Sequence, residues 1–200
     1  MEGTMPRNFL FLLGSTRADG NTEALARLAA EQLPAGDTAR WLRLADVDLP
    51  VFRDLSHTDQ SDLAAPTGDA ATLLDATLDA TDLVIASPLY WYSVSTPVKH
   101  YLDHWAGWLR TPGLDFRRRM AGRTLWGVTV LAGGDLSTAD PLVGTLRNSA
   151  AYMGLHWGGV LLGSATLPGE IAQDTEAAAR AKTFFGSTPL SAAPGSATPA

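Results

Sequence analysis

The residues best suited to ligand chemistry form one run, Ser87-Pro88-Leu89-Tyr90-Trp91-Tyr92-Ser93-Val94-Ser95-Thr96-Pro97-Val98-Lys99. Consecutive side chains on any backbone point in different directions, so the three adjacent aromatic residues are hard to place together in a buried core. The run follows an apolar stretch at 83–86 that is typical of a strand, and it leads into a helical pattern. Ligands of open α/β sheets bind where such strands end. We therefore expect the aromatic residues to form a wall for a planar ligand.

A second segment, Gly14-Ser15-Thr16-Arg17-Ala18-Asp19-Gly20-Asn21-Thr22, has the composition of an anion-binding loop. Small residues let backbone N–H groups approach an anion, and a helix that begins near Asn21 adds the positive end of its dipole. Arg17 can neutralise a phosphate dianion. The segment has neither the P-loop spacing nor the Gly-x-Gly-x-x-Gly of dinucleotide-binding loops. It predicts a cradle for one phosphate group, and a capped turn before a helix is the alternative.

A third segment, Ala132-Gly133-Gly134-Asp135, follows another apolar stretch. Paired glycines let backbone amides face a ligand with no side chain in the way. Beside a ring that gains electrons, such donors would stabilise the negative charge that builds up. An ordinary strand-to-helix turn is the alternative, and the position of the segment at the same edge of the sheet favours a functional role.

Alternating strand and helix patterns position these segments. Strands are predicted at 8–13, 39–44, 83–86, 124–131 and 158–162, and helices at 22–33, 67–80, 97–109, 139–153 and 174–185. This alternation indicates a doubly wound parallel sheet with helices on both faces, and five strands fit the flavodoxin-like order 2-1-3-4-5. In that order the loops after the first and third strands face each other across a crevice. We expect one domain over 1–186, with a loop at 45–63, and a disordered Ser/Ala/Pro-rich tail over 187–200.

Composition narrows the classes of function. The 200 residues are 46% hydrophobic and carry a formal charge of −6, which fits one domain with a buried core and argues against a nucleic-acid partner. No apolar run approaches the roughly 18 residues of a membrane span. The chain has no cysteine, which excludes disulfides, iron–sulfur clusters, thiolate zinc sites and cysteine nucleophiles. We expect a cytoplasmic protein without a membrane span.

Two further patterns carry less weight. His100 and His104 have a spacing that can bind a metal on a helix, but no third ligand is near in the sequence, so we predict no metal site and place them at the surface or at a dimer interface. Five arginines stand in the stretch that begins at Arg110 and ends at Arg123. They can attract the 2′-phosphate of NADPH, although a solvated loop is the favoured interpretation.

The three loop segments, together with Leu102-Asp103 after the aromatic run, resemble the NAD(P)H-dependent FMN reductase family of the flavodoxin-like superfamily. The resemblance spans residues 7–186. It implies FMN as the bound cofactor, NADPH or NADH as the hydride donor, and a homodimer whose partner subunit covers part of the flavin site. The chain departs from many members at Trp91 and Tyr92, where they carry Gly or Asn, and this alters the shape of the substrate pocket.

The resemblance also implies roles for individual residues. The FMN phosphate would be held by Ser15, Arg17, Asn21 and Thr22. The isoalloxazine ring and ribityl chain would be lined, largely through backbone contacts, by Pro88, Leu89, Tyr90, Trp91 and Tyr92. The pyrimidine edge of the ring would lie near Gly133 and Gly134. No catalytic residue is assigned, because hydride transfer to a flavin needs no side-chain acid or base. Tyr92 can donate a hydrogen bond to a quinone oxygen, or its ring can serve packing alone.

The leading hypothesis is an FMN-dependent NAD(P)H oxidoreductase that reduces a quinone, a free flavin or a similar small aromatic acceptor. Two alternatives stay open. One is a flavodoxin-type electron carrier without turnover of its own, against which the modest charge and the arginine-rich stretch argue. The other is an enzyme that tailors one specialised aromatic metabolite, for which the Trp91-Tyr92 pair leaves room.

Overall fold

Five parallel strands form one sheet in the order β2-β1-β3-β4-β5, in a computed structural model that describes residues 5–54 and 65–190. The strands are β1 (Asn8–Leu13), β2 (Thr38–Arg43), β3 (Asp82–Ala86), β4 (Thr124–Leu131) and β5 (His156–Ser164). The helices are α1 (Asn21–Ala30), α2 (Gly68–Asp79), α3 (Thr96–Arg110), α4 (Phe116–Met120), α5 (Asp140–Met153) and α6 (Thr175–Ala181). The predicted fold class and strand order are confirmed.

Alternation along the strands gives the sheet two apolar faces. In β1, Leu10 and Leu12 belong to one core, and Phe9, Phe11 and Leu13 belong to the other. Helices α2, α3, α4 and α5 pack in the first core, whereas α1 and α6 pack in the second. The central strands are therefore buried on both sides, as is typical of parallel sheets whose crossovers are helices.

The strand register places three loops at one edge of the sheet, which we call the carboxyl edge. Leu13 at the end of β1 pairs with Arg43 at the end of β2 and with Ala86 at the end of β3. Ala86 in turn pairs with Val128 of β4, which continues to Leu131. The loops after β1, β3 and β4 consequently begin close together, and the switch point of the sheet lies between β1 and β3.

Several element boundaries differ from the sequence prediction. α1 ends at Ala30, before the predicted 33: Gln32 and Leu33 donate to the carbonyls of Ala29 and Ala30 in tighter turns, and Pro34 disfavours helical backbone at Leu33. β5 is longer than 158–162, because a shift in its register with β4 accommodates the two glycines at 158–159. The predicted helix at 174–185 is divided into α6 and a 3-10 turn at Phe184–Gly186.

The arginine-rich stretch contains a helix where a loop was predicted. α4 buries Phe116 and Met120 against the first core, and this apolar spacing on one helical turn is what orders the segment. Arg123, which follows, donates to the backbone carbonyl of Ala80, just before β3 begins. This contact places that end of the stretch at the amino edge of the sheet, opposite the three loops, and argues against a role at the carboxyl edge.

Part of the predicted 187–200 tail falls within the described residues. Leu190 pairs with Trp157 through two backbone hydrogen bonds of 2.9 Å. The remainder of the tail, residues 191–200, and residues 55–64 of the predicted 45–63 loop lie outside the described residues. No helix within residues 5–54 and 65–190 has the length and hydropathy needed to cross a membrane.

Candidate active site

The loops after β1 and β3 are joined at their bases. The Gly14 N–H donates to the carbonyl of Ala86 at 2.8 Å, and the Ser95 hydroxyl donates to the carbonyl of Gly14 at 2.7 Å. The Ser95 N–H donates to Oγ of Ser87 at 2.9 Å. A Cβ on Gly14 would lie 2.4 Å from Cγ2 of Val98, so only glycine lets the two loops approach this closely. These hydrogen bonds and the close packing at Gly14 fix the bases of the two loops relative to each other at the switch point.

The loop after β1 presents unused hydrogen-bond donors. Ser15 is buried, its Oγ accepts the N–H of Arg17 at 3.1 Å, and Arg17 itself is exposed. Thr22 is buried in the first turn of α1. Within the described residues no side chain caps α1 after Gly20, so its first N–H groups are free to bind an anion. This donor set fits a phosphate group.

Asn21 uses its side chain to hold another loop. Its Nδ2 donates to the carbonyl of Leu167, and its Oδ1 accepts the N–H of Gly169, both at 2.9 Å. The loop between β5 and α6 is thereby fixed against the start of α1. The amide group of Asn21 therefore orders the neighbouring loop, and only the Asn21 backbone is left to face an anion at the start of α1.

Arg43 binds the loop after β1, although no pattern in the sequence indicated this role. Nη1 of Arg43 donates to the carbonyls of Ser15 at 3.2 Å and of Arg17 at 2.8 Å. Nη2 of Arg43 donates to Oε2 of Glu23 at 2.6 Å, and Arg27 donates to Oε1 of the same carboxylate. The Glu23 side chain is only 3% exposed. Burial alone would raise the pKa of Glu23, but the two arginines outweigh it and hold that pKa below its usual range.

The base of the aromatic loop is attached to the sheet. The N–H of Leu89 approaches the carbonyl of Val130 in β4 at 3.4 Å, and Pro88 and Leu89 are half-buried. Val94 and Ser95, on the return of the loop, are buried. Pro88 and Leu89 therefore offer a fixed backbone surface beside the crevice.

The tip of this loop is a tight turn with unusual residues. Tyr90 and Ser93 exchange two backbone hydrogen bonds, and Trp91 and Tyr92 between them have φ angles of 49° and 62°. Two successive positive φ angles are typical of a type I′ turn, which strongly favours Asn and Gly. Trp91 is 93% exposed, and Tyr90 and Tyr92 are exposed as well. The aromatic side chains thus project from the turn and make few contacts with the described residues.

The loop after β4 leaves open space above two glycines. Gly133 has a φ of 93°, and its carbonyl accepts the Ser164 hydroxyl at 2.7 Å. A Cβ built on Gly133 or Gly134 meets no protein atom within 4 Å. Both glycines line a cleft of about 540 Å³ that continues toward Glu170 and Arg180. The backbone of this loop is therefore accessible to a ligand at the carboxyl edge.

A larger cavity, of about 1060 Å³, lies elsewhere, and its lining includes Phe52, His104 and Trp108. It is bordered by residues 54 and 65, which flank the undescribed segment. Nε2 atoms of His100 and His104 both lie 2.9 Å from the carbonyl of Pro50. Within the described residues no group of three metal-ligating side chains occurs. We place the candidate site at the three loops, where donors without protein partners converge.

Comparisons with known proteins bear on the family and the fold of the chain. A sequence model described as NADPH-dependent FMN reductase matches residues 8–161. YwqN of Bacillus subtilis, named as an NAD(P)H-dependent FMN-containing oxidoreductase, is 29% identical over 167 residues, which cover 82% of this chain and 88% of YwqN. The solved Trp repressor binding protein of B. subtilis has a TM-score of 0.71 at 24% identity, covering 88% of this chain and 97% of that one. An FMN-dependent NADH-azoreductase of Bacillus anthracis, solved with FMN, has a TM-score of 0.59 at 14% identity, covering 90% and 98%.

Proposed function

The chain belongs to the NADPH-dependent FMN reductase family, and from this premise we propose that it passes hydride from NADPH or NADH through FMN to a quinone, a free flavin or another small aromatic acceptor. Membership confirms the resemblance seen in the sequence and makes the chain an oxidoreductase with the cofactors of its family. The observation that carries the proposal is the convergence of three loops with unused backbone donors at one edge of the sheet.

The loop after β1 is proposed to bind the FMN phosphate. Ser15 and Thr22 supply hydroxyl groups, Arg17 supplies a positive charge, and the uncapped start of α1 supplies backbone N–H groups. Asn21 takes part through its backbone, since its side chain is bonded to the loop between β5 and α6. The phosphate would thus be bound by the ordered start of a helix, with an exposed arginine at its open side.

The other two loops are proposed to flank the flavin ring. Pro88 and Leu89 offer backbone surface along one side, and the Tyr90–Ser93 turn places aromatic side chains beside it. Gly133 and Gly134 present accessible backbone to the pyrimidine end of the ring, where N–H donors would stabilise negative charge. Bound FMN supplies hydride acceptance at N5 and return of the electrons to an acceptor. The protein contributes position and electrostatics, and the mechanism requires no side-chain acid or base.

The proposal is tested by an absorbance titration with FMN, followed by anaerobic addition of NADPH or NADH. We expect flavin bands that bleach within seconds. A protein that binds no flavin would refute the proposal, and bound flavin that neither nicotinamide reduces would indicate a carrier.

Arg17→Met is expected to weaken FMN binding by about 10- to 100-fold, as for loss of a hydrogen bond to a charged group. The matched control is Arg118→Met, which removes an exposed arginine of α4 that is ion-paired with Asp115. Equal effects of the two substitutions would contradict the assigned phosphate site.

We also propose that the chain works as a homodimer. Its support is that exposed apolar side chains are concentrated on loops that follow strand ends, including Val51, Trp91, Tyr92 and Leu167. A second subunit would shield such side chains together with the flavin site. Sedimentation equilibrium with and without FMN measures the mass, and a monomer in both conditions would contradict this part of the proposal.

A further inference from the structure

We propose that Arg43 is the positioning residue that holds the phosphate loop in its anion-binding form, and that Glu23 fixes the Arg43 side chain in place. The inference rests on the proposed phosphate site. Arg43 comes from the end of β2 and is only 17% exposed. It reaches across to the loop after β1 and contacts the loop through two backbone carbonyls, those of Ser15 and Arg17.

Because peptides are planar, the contacts of Arg43 with two carbonyls also fix the direction of the neighbouring backbone N–H groups in the loop. The described chain contains no cis peptide bonds, and in a planar trans peptide the N–H points opposite to the C=O. The carbonyls of Ser15 and Arg17 face Arg43, so the N–H groups of Thr16 and Ala18, which share those peptide planes, face the other way. Neither N–H donates to another group in the described part of the chain. The contacts with Arg43 therefore leave two backbone donors pointing away from that side chain, in residues that are exposed, as an anion site requires.

Glu23 explains why Arg43 holds this position. One carboxylate oxygen of Glu23 is bonded to Arg43, and the other is bonded to Arg27, whose guanidinium lies 4.4 Å from the Trp41 ring centroid. The buried carboxylate also stands in the first turn of α1, where the helix dipole stabilises negative charge. A buried charge with two cationic partners has little freedom to move, so the Arg43 side chain is anchored at its far end.

The same bonds argue that Arg43 does not contact the phosphate itself. Both Nη1 hydrogens are directed to carbonyls, and Nη2 is bonded to Glu23. A phosphate contact through Nη1 would require one of its two bonds to break; the second Nη2 hydrogen and the Nε hydrogen, whose nitrogen lies 3.9 Å from Oδ2 of Asp46, are the remaining donors of Arg43. An arginine suits the positioning role, because its planar fork directs Nη1 at the two carbonyls and Nη2 at the carboxylate at fixed angles, whereas lysine has one nitrogen for all three acceptors.

The test compares binding of FMN with binding of riboflavin, which lacks the phosphate. For the wild type we expect a clear preference for FMN. Arg43→Met is expected to reduce the ratio of the two affinities by about 10-fold, and Arg43→Lys is expected to restore it only in part. Arg27→Met, which removes the other partner of Glu23 without touching the loop, is the matched control and should keep the ratio within about threefold.

Glu23→Gln separates positioning from direct contact. If Arg43 acts through the loop, loss of its anchor lowers the preference for FMN although the arginine remains. A preference that is unchanged or increased in Glu23→Gln would overturn the proposal, and so would a preference that survives Arg43→Met. A general loss of packing would weaken both flavins alike and leave the ratio unchanged, which also overturns it. A wild type without any preference for FMN would instead refute the proposed phosphate site.

Discussion

Replacing Trp91 with Asn and Tyr92 with Gly is expected to stabilise the chain without its cofactor. The backbone of the Tyr90–Ser93 turn already has the two positive φ angles, 49° and 62°, that Asn and Gly adopt with little strain. Two backbone hydrogen bonds close this turn, and they do not depend on the side chains at its tip. The substitution therefore removes strain and keeps the turn.

The magnitude follows from the turn geometry and from exposure. Left-handed backbone costs an ordinary L-residue about 1–2 kcal/mol, so the two positions together store about 2–4 kcal/mol. The new Gly loses about 0.5–1 kcal/mol more conformational entropy on folding. Trp91 is 93% and Tyr92 59% exposed, so their removal forfeits little buried apolar surface. A net gain of about 1.5 kcal/mol raises the Tm of a chain of this size by about 3–6 °C.

The assay is thermal unfolding of the cofactor-free protein, followed by circular dichroism at a protein concentration at which sedimentation shows a monomer, so that Trp91 and Tyr92 are not shielded by a second subunit. Leu167→Asn is the control, because Leu167 is also an exposed apolar residue but does not have a positive φ; its Tm should change by less than about 2 °C. An unchanged or lower Tm in the double variant would refute the strain argument. If the aromatic tip serves the acceptor, the same variant will show a higher KM for a quinone than the wild type.

Asp82→Asn should lower the free energy of unfolding by about 3–5 kcal/mol, because this buried carboxylate accepts from the indole of Trp126 and from an arginine; denaturant titration measures the loss. Gly158→Ala should cost about 1–3 kcal/mol in the same titration, since its Cβ would lie 2.2 Å from the Trp126 ring. Gly134→Ala should leave the Tm unchanged but weaken FMN binding, because its Cβ would enter space that is open in the protein and assigned to the flavin. Burial is the main cause that lowers the pKa of His104 below its ordinary 6.5, so the unfolded chain takes up this proton at a higher pH than the folded chain. As the pH falls through 6.5, the Tm of the wild type should therefore decrease more than the Tm of His104→Gln. Equal decreases would contradict the lowered pKa of His104.

The sheet was predictable because its strands carry strong local signals. Residues 9–13 and 83–86 are short apolar runs that are buried on both faces, and such runs between helical patterns leave few alternatives to a parallel sheet. The helix at α4 was missed, because a run of arginines suggested a solvated loop. Its order comes from Phe116 and Met120, four residues apart, whose burial needs a core that the local sequence does not reveal.

The convergence of the three loops was predictable, but the contacts of their side chains were only partly so. Loops after neighbouring parallel strands must meet at the carboxyl edge, so their composition alone located the crevice. Asn21, by contrast, bonds to a loop 146 residues away, and Arg43 reaches a carbonyl 28 residues away. These contacts depend on the register of the sheet and on the path of distant loops. No spacing pattern in the sequence reports them.

The two edges of the sheet use buried charge in different ways, and the difference supports the assignment of the site. At the amino edge, the Asp82 carboxylate and the Arg7 guanidinium are bonded to each other, and their remaining polar groups reach Trp126 and the carbonyl of Phe185. That cluster satisfies itself and serves stability. At the carboxyl edge, Glu23 and Arg43 are equally well partnered, yet their bonds turn the loop so that its N–H groups remain unpaired. This use of a buried ion pair to keep donors exposed supports the proposed anion site, because water alone would not require donors held in a fixed direction.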